Sequence, residues 1–175
     1  MTKKDFDGFL LLKEKEQKDI PEIDWEAEKN KWLSYLDDLY RLFEVSLNDY
    51  VKSGKIRITY NEISITEENV GTYKAQKMII EFAGEKITFR PIGTNLIGIN
   101  GRVDITSKSN SAKIVLVDSR MNGIDDHIKI SSHIGKETLE EAIILEWKFI
   151  TLPSRLYLPV NEDTIYSVIM ELSNG

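Results

Sequence analysis

Hydrophobic residues recur at helical spacing between Asp24 and Ser53 and predict one long amphipathic helix. Asp24 is the predicted N-cap, and Gly54 suits the position just after the C-terminal end. Such a stripe normally packs into its own domain, so we expect its tryptophans to cover a sheet. The alternative is an aromatic surface for a protein partner. The apolar stripe consists of Trp25, Trp32, Leu36, Leu39, Phe43, Leu47 and Tyr50.

After Gly54 the hydrophobic period changes to two, which predicts β-strands. The alternation that begins at Ile56 changes phase at Ile63 and Ile65, so we expect a turn or a bulge at Asn61-Glu62. Ala83-Gly84 predicts a tight hairpin between two later strands. Beyond residue 60, strands are expected at 73–82, 85–92, 97–106, 113–118 and 143–151, with an extended segment at 155–159.

The stretch from Pro91 to Thr106 carries three glycines in an apolar run and has two interpretations. A hairpin turn at Asn100-Gly101 would place two charged residues opposite two isoleucines on one face. A continuous strand that bends at its glycines matches the pleat better, and we favour it. Its apolar face would then carry Ile97, Ile99, Gly101, Val103 and Ile105.

A second amphipathic helix is predicted after Asn161, which is its expected N-cap. Its apolar stripe is Ile165, Val168, Ile169 and Leu172. We expect residues 1–23 to be an extension with a short helix that has Phe6, Phe9 and Leu10 on one side. Residues 24–175 form a single domain in this interpretation. Residues 119–142 show little periodicity, with at most one strand around 127–130.

The predicted order of elements indicates an α+β fold. A long N-terminal amphipathic helix and a C-terminal helix flank an antiparallel β-meander of six to eight strands. The meander would form a curved sheet or an open barrel.

Composition narrows the possible functions. The chain has 175 residues and a net charge of −6, which argues against a nucleic-acid partner. It contains no cysteine, which excludes disulfides, thiolate catalysis and cysteine-ligated zinc. No apolar run approaches the ~20 residues that span a bilayer. We therefore expect a cytoplasmic protein with no membrane partner and no cofactor.

One pattern suggests catalysis. Glu146 and Lys148 flank Trp147, and Asp104 and Asp118 precede them at strand positions. This arrangement resembles the D…E-x-K pattern of restriction-endonuclease-like nucleases, in which two carboxylates hold a divalent ion and the lysine stabilises charge near the attacking water. Alternating Glu and Lys also arise from charge pairing on a solvated sheet face. The predicted elements lack the helix that this nuclease fold places between core strands, so a non-enzymatic protein is favoured.

The glycines and histidines indicate no further site. Gly93, Gly98 and Gly101 do not fit a dinucleotide or phosphate-binding motif, and no helix follows them. His127 and His133 are the only histidines, and their separation of six residues does not fit a helical zinc pair. We expect no metal site.

Four short runs resemble a group of small bacterial proteins of unknown function. They are Gly71-Thr72-Tyr73-x-Ala75, Pro91-Ile92-Gly93-Thr94, Ile97-Gly98 and Gly101-Arg102-Val103-Asp104. The resemblance extends over most of residues 25–175 and includes both amphipathic helices. It implies a bacterial cytoplasmic protein and carries no activity with it.

Three functions follow as hypotheses. The first is a non-enzymatic protein-interaction module that binds a protein partner or itself, in a bacterial system such as defence or toxin neutralisation. Its candidate binding residues are Arg90, Asn100, Arg102 and Asp104. The second is a small-ligand-binding protein with a barrel-like meander. The third is the metal-dependent nuclease, with Asp104, Asp118, Glu146 and Lys148 as its catalytic candidates.

Overall fold

The computed structural model describes residues 3–18, 22–94, 99–126 and 143–174. Its helices are α1 (Lys3–Lys18), α2 (Trp25–Ser46), α3 (Asn48–Lys52) and α4 (Glu162–Ser173). Its strands are β1 (Arg57–Glu67), β2 (Gly71–Phe82), β3 (Glu85–Gly93), β4 (Gly101–Thr106), β5 (Ser111–Asp118), β6 (Leu145–Ile150) and β7 (Tyr157–Pro159).

The seven strands form one antiparallel sheet whose spatial order is the chain order, from β1 to β7. The sheet is open, with β1 and β7 at its two edges. This arrangement confirms the predicted α+β meander flanked by helices. The tight hairpin between β2 and β3 is also confirmed, because Ala83 and Gly84 both have positive φ, at 46° and 84°.

The main core lies between one face of the sheet and the helices α2 and α4. Phe43 of α2 packs edge-on against Phe89 of β3, with ring centroids 4.7 Å apart, and also meets Phe149 of β6. Asn161 caps α4 as predicted, and Thr164 completes a reciprocal capping box. Of the predicted stripe of α4, Ile165, Ile169 and Leu172 are buried and Val168 is half-buried against the same core.

The helix predicted from Asp24 to Ser53 is confirmed in its length, but the prediction of one unbroken helix is wrong at Leu47. Asp24 caps α2 as expected, by accepting a hydrogen bond of 3.0 Å from the Ala27 amide. The helix ends at Ser46, and the short α3 follows after Leu47. Serine, asparagine and aspartate around this point have low helix propensity, because their side chains compete for the backbone hydrogen bonds. Trp32 is buried as predicted, whereas Trp25 is 37% exposed.

The predicted turn or bulge at Asn61-Glu62 is also wrong. β1 pairs with β2 without interruption from Arg57 to Glu67. The change of hydrophobic phase is nevertheless real. Ile65 and Met78 both lie in the main core, although the strand register would place them on opposite faces of a flat sheet. β3 pairs with β2 only from Met78 onward, so the outer half of β1 and β2 is a two-stranded ribbon. Such ribbons twist strongly, which accounts for both phases facing one core.

The continuous strand expected across 97–106 is shorter than predicted. β4 begins at Gly101, and residues 97 and 98 lie outside the described residues. Val103 and Ile105 are in the main core as expected, but Ile99 packs against a second apolar cluster that contains Val115 and Val117. The phase therefore changes at Asn100, whose amide donates to the Leu116 carbonyl at 2.8 Å.

Two further expectations concern neighbouring segments. β6 begins at Leu145, two residues after the predicted start of the strand at residue 143, and Ile143 is exposed. The strand considered around 127–130, like His127 and His133, lies outside the described residues. Among the helices of the described ranges, none has the length and apolar character needed to cross a membrane.

Candidate functional site

A cleft with a volume of about 140 Å³ lies between the start of α2 and one end of the sheet. Its lining is Trp25, Glu28, Lys31, Trp32, Tyr35, Thr94, Asn100, Leu116 and Leu145. Pockets for drug-sized molecules usually measure about 300–1,000 Å³. The cleft is too small for such a ligand.

A buried carboxylate lies close to this cleft. Glu67, the last residue of β1, accepts hydrogen bonds from the Tyr73 hydroxyl at 2.5 Å and from the Thr94 amide at 2.9 Å. The Thr94 hydroxyl donates to the same carboxylate at 3.0 Å. Several donors on β2 and on the end of β3 thus surround one carboxylate, which compensates for its burial.

Gly93 makes room for this carboxylate. Its φ is +133°, and a Cβ added there would lie 2.7 Å from the Glu67 Cδ. The backbone of β3 can therefore approach Glu67 closely only with glycine at this position. Tyr73, Gly93 and Thr94 lie in two short runs of the sequence, Gly71–Ala75 and Pro91–Thr94, and both runs contribute to this cluster. Sequence reasoning missed Glu67 because it lies beside a polar connection.

Trp32 of α2 lies between the Glu67 cluster and the start of β4. Its ring lies directly on Gly101, where an added Cβ would be 2.2 Å from Cζ3. Its indole N–H has no hydrogen-bond acceptor in the described part of the chain. This N–H is nevertheless close enough to the Tyr73 hydroxyl to lower its pKa slightly. Burial and the contact with Glu67 outweigh that effect and raise the pKa of Tyr73 well above its usual range.

The predicted binding residues are not gathered into one pocket. Arg102 and Asp104 form a two-bond ion pair along β4, with Nε–Oδ1 at 2.6 Å and Nη2–Oδ2 at 2.8 Å. Both are half-buried on the sheet face opposite Val103. Arg90 is exposed on β3, opposite Asp104 in the register. Asn100 is exposed on the cleft side.

The structure separates Asp104 from the other nuclease candidates, whereas Glu146 lies 3.6 Å from Lys148. Asp104 lies opposite Lys113 of β5, and Asp118 is five residues further along that strand, which corresponds to ~17 Å. Glu146 pairs with Val117, so it lies on the opposite face of the sheet from Asp118. In the described ranges, no three acidic or histidine side chains are grouped closely enough to hold a metal ion.

Asp118 and Lys148 stabilise the turn that follows β5. Asp118 accepts hydrogen bonds from the Arg120 side chain at 2.6 and 2.9 Å and from its amide at 3.0 Å. The buried Lys148 ammonium donates to the carbonyls of Ser119 at 2.8 Å and Met121 at 2.7 Å. It also lies 3.6 Å from the Glu146 carboxylate. The Lys148 ammonium therefore has a structural role, because it binds the main-chain oxygens of this turn.

This turn should make stability depend on acid pH. The hydrogen bonds from Arg120 hold the pKa of Asp118 below its usual range, although burial opposes them. A lowered pKa in the folded state stabilises the protein above the unfolded-state value of about 3.9, and this stabilisation is lost as the pH falls below it. We expect Asp118→Asn to lower the free energy of unfolding by about 1–2 kcal/mol at pH 7, and by much less at pH 2.5.

Urea titrations of both proteins at a series of pH values measure this difference. Asp104→Asn is the matched control, because it removes a carboxylate from a more exposed ion pair and should cost less than about 1 kcal/mol. If Asp118→Asn lowers the free energy of unfolding equally at pH 7 and pH 2.5, the stabilising role of the Asp118 carboxylate is contradicted.

Five large apolar residues of α1 are exposed. Phe6, Phe9, Leu10, Leu11 and Leu12 are between 43% and 67% exposed, and the rings of Phe6 and Phe9 stack with centroids 6.3 Å apart. We call these five residues the α1 patch. The predicted short helix with Phe6, Phe9 and Leu10 is confirmed as a helix. Its apolar residues are exposed to solvent.

Comparisons with models of known protein families, with curated proteins and with solved structures found no match to this chain.

Proposed function

We propose that this protein is a non-enzymatic protein-interaction module that uses α1 to contact its partner. The α1 patch is the observation that carries this proposal. Several exposed large apolar side chains on one helix are typical of interaction sites, because their exposure to water is unfavourable. Full burial of one Phe or Leu side chain contributes roughly 1.5–3 kcal/mol, so burial of several of them would offset much of the cost of association.

The chemistry of α1 favours a protein groove over a lipid surface. Its sequence, KKDFDGFLLLKEKEQK, has five lysines and four acidic residues. Helices that lie on membranes combine an apolar face with a polar face rich in lysine and arginine. A balanced set of charges suits a protein groove with an apolar floor and both signs of charge at its sides, as in helix-in-groove recognition.

The remaining candidate chemistry supports binding over catalysis. The carboxylates of Asp104 and Asp118 are held by neighbouring arginines on separate strands. The cleft beside α2 is small, so no observation favours the small-ligand alternative. The bacterial cytoplasmic setting and a role in defence or toxin neutralisation remain predictions.

Partner capture with matched variants tests the proposal. Tagged protein would be recovered from its own host cells as the unchanged chain, as the double variant Phe9→Ser/Leu12→Ser, and as Met170→Ser. Met170 is 59% exposed on α4 and is a control for loss of an exposed apolar residue. We expect the unchanged chain and Met170→Ser to recover a stoichiometric partner, and the α1 variant to recover at least tenfold less.

Circular dichroism would establish that all three proteins are folded. The proposal fails if the unchanged chain recovers no partner and any self-association is unaffected by Phe9→Ser/Leu12→Ser. It also fails if the folded α1 variant retains its partner at the level of the unchanged chain.

A further inference from the structure

The outer edge of β1 is an unpaired strand edge. β1 has 11 residues and pairs with β2 along its whole length. On its other side, no described strand pairs with it. Alternate residues of such a strand direct their N–H and C=O groups away from the sheet, where they can pair with another strand.

The two edges of the sheet differ in how they are protected. β7 has only three residues and ends in Pro159, and short strands and proline both hinder edge pairing. β1 is long, contains no proline and has no bulge in its register. The sheet thus has one protected edge and one edge that is suited to pairing.

The charges on β1 do not repel an incoming strand. Arg57 pairs with Glu81 of β2 at 2.8 Å, and Glu62 lies 3.3 Å from Lys74 of β2. Each charge is therefore balanced by the neighbouring strand on the inner side. Edge strands that resist association usually carry unbalanced charges, above all lysines.

We propose that two copies of this chain associate through antiparallel pairing of their β1 strands. This proposal uses a different surface from the proposed function. It rests on that function only in treating the chain as a protein that assembles with other chains. A two-fold axis through Asn61 would place Tyr60 opposite Glu62, Thr59 opposite Ile63, and Ile58 opposite Ser64. No residue then faces a like charge, whereas an axis through Glu62 would oppose two carboxylates.

A second copy also accounts for the contrast between the edges. An identical β1 covers both unprotected edges in one step, as an isologous interface does. The resulting continuous sheet would end in a β7 strand on each side. Only the protected edges would then remain exposed.

Charge substitution at the axis tests the pairing. Asn61 is exposed, and Asn61→Lys would bring two ammonium groups together at the centre of the interface. We expect the unchanged chain to be a dimer by light scattering and sedimentation, and Asn61→Lys and Asn61→Asp each to dimerise about fivefold or more weakly. Mixing the two variants should restore dimers, because each interface then joins opposite charges.

Gln76→Lys is the matched control. Gln76 is exposed on β2, opposite Glu62, so this variant adds the same charge one strand away from the edge. It should dimerise like the unchanged chain. Amide hydrogen exchange of the unchanged chain gives a test without a variant, since β1 amides should be better protected at high than at low protein concentration.

A monomeric unchanged chain overturns the proposal, as does a dimer that Asn61→Lys and Gln76→Lys affect equally. Concentration-independent exchange in β1 overturns it as well. These results leave the proposed function standing if the α1 variant still loses its partner. A normal dimer combined with partner capture that is unaffected by the α1 variant would remove the proposed function and keep this inference.

Discussion

Replacing Gly101 by alanine should lower the free energy of unfolding by about 3 kcal/mol or more. The added Cβ would lie 2.2 Å from Cζ3 and 2.6 Å from Cε3 of Trp32, far inside the 3.5–4.0 Å that two carbon atoms prefer. Trp32 is buried and its ring lies 5.8 Å from that of Trp147, so it has little room to move. Overpacking of a close-packed core usually costs 1–3 kcal/mol and exceeds this where the neighbour is rigid.

A double-mutant cycle measured by urea unfolding tests this cause. Trp32→Leu removes the two clashing atoms, so Gly101→Ala should cost less than about 1 kcal/mol in that background. Gly8→Ala is the control, because a Cβ at this α1 position meets no atom within 4 Å. It should not destabilise the protein, since alanine favours a helix over glycine. An equal cost of Gly101→Ala with and without the Trp32 ring would contradict the explanation.

Local signals in the sequence predicted the elements that depend on local chemistry. Asp24 and Asn161 cap their helices because their side-chain oxygens satisfy the free amides of the first turn. Ala83-Gly84 forms the tight β2–β3 hairpin. Most residues of the apolar stripes of α2 and α4 are buried because each helix lies against the same sheet face, whereas Trp25 and Tyr50, at the two ends of the first stripe, are exposed.

Features that depend on distant contacts could not be predicted in this way. The phase change within β1 follows from the twist of the ribbon that it forms with β2. In the sequence, the same change in hydrophobic alternation indicates a bulge. The burial of Glu67 depends on Thr94, which is 27 residues away in the chain. A single sequence does not show that these residues meet.

Residues of the runs Gly71–Ala75, Pro91–Thr94 and Gly101–Asp104 have structural roles in this fold. Tyr73 and Thr94 bind Glu67, Gly93 makes space for it, and Gly101 makes space for Trp32. These residues join the end of β1 to β2, β3 and the start of α2. These residues stabilise the scaffold and are not part of the α1 patch, which is the proposed contact surface for a partner.

Val103→Asp should abolish folding, whereas Arg102→Ala should leave the protein folded. Val103 is fully buried in the centre of the sheet, between Pro91 of β3 and Ile114 of β5. Burial of an unpaired carboxylate costs several kcal/mol, in addition to the lost apolar contact. Domains are stable by only about 5–15 kcal/mol, so this change removes most or all of the stability.

Arg102 is the adjacent residue on the opposite face and therefore a close control. It and Asp104 are each 27% exposed at the side chain, so water screens the pair and its loss should cost less than about 1 kcal/mol. Near-ultraviolet circular dichroism and urea unfolding distinguish the two outcomes. A cooperative transition in Val103→Asp would contradict the burial argument. An unfolded Arg102→Ala protein would instead show that the ion pair holds β4 in place, because the strand could not then tolerate an unpaired Asp104.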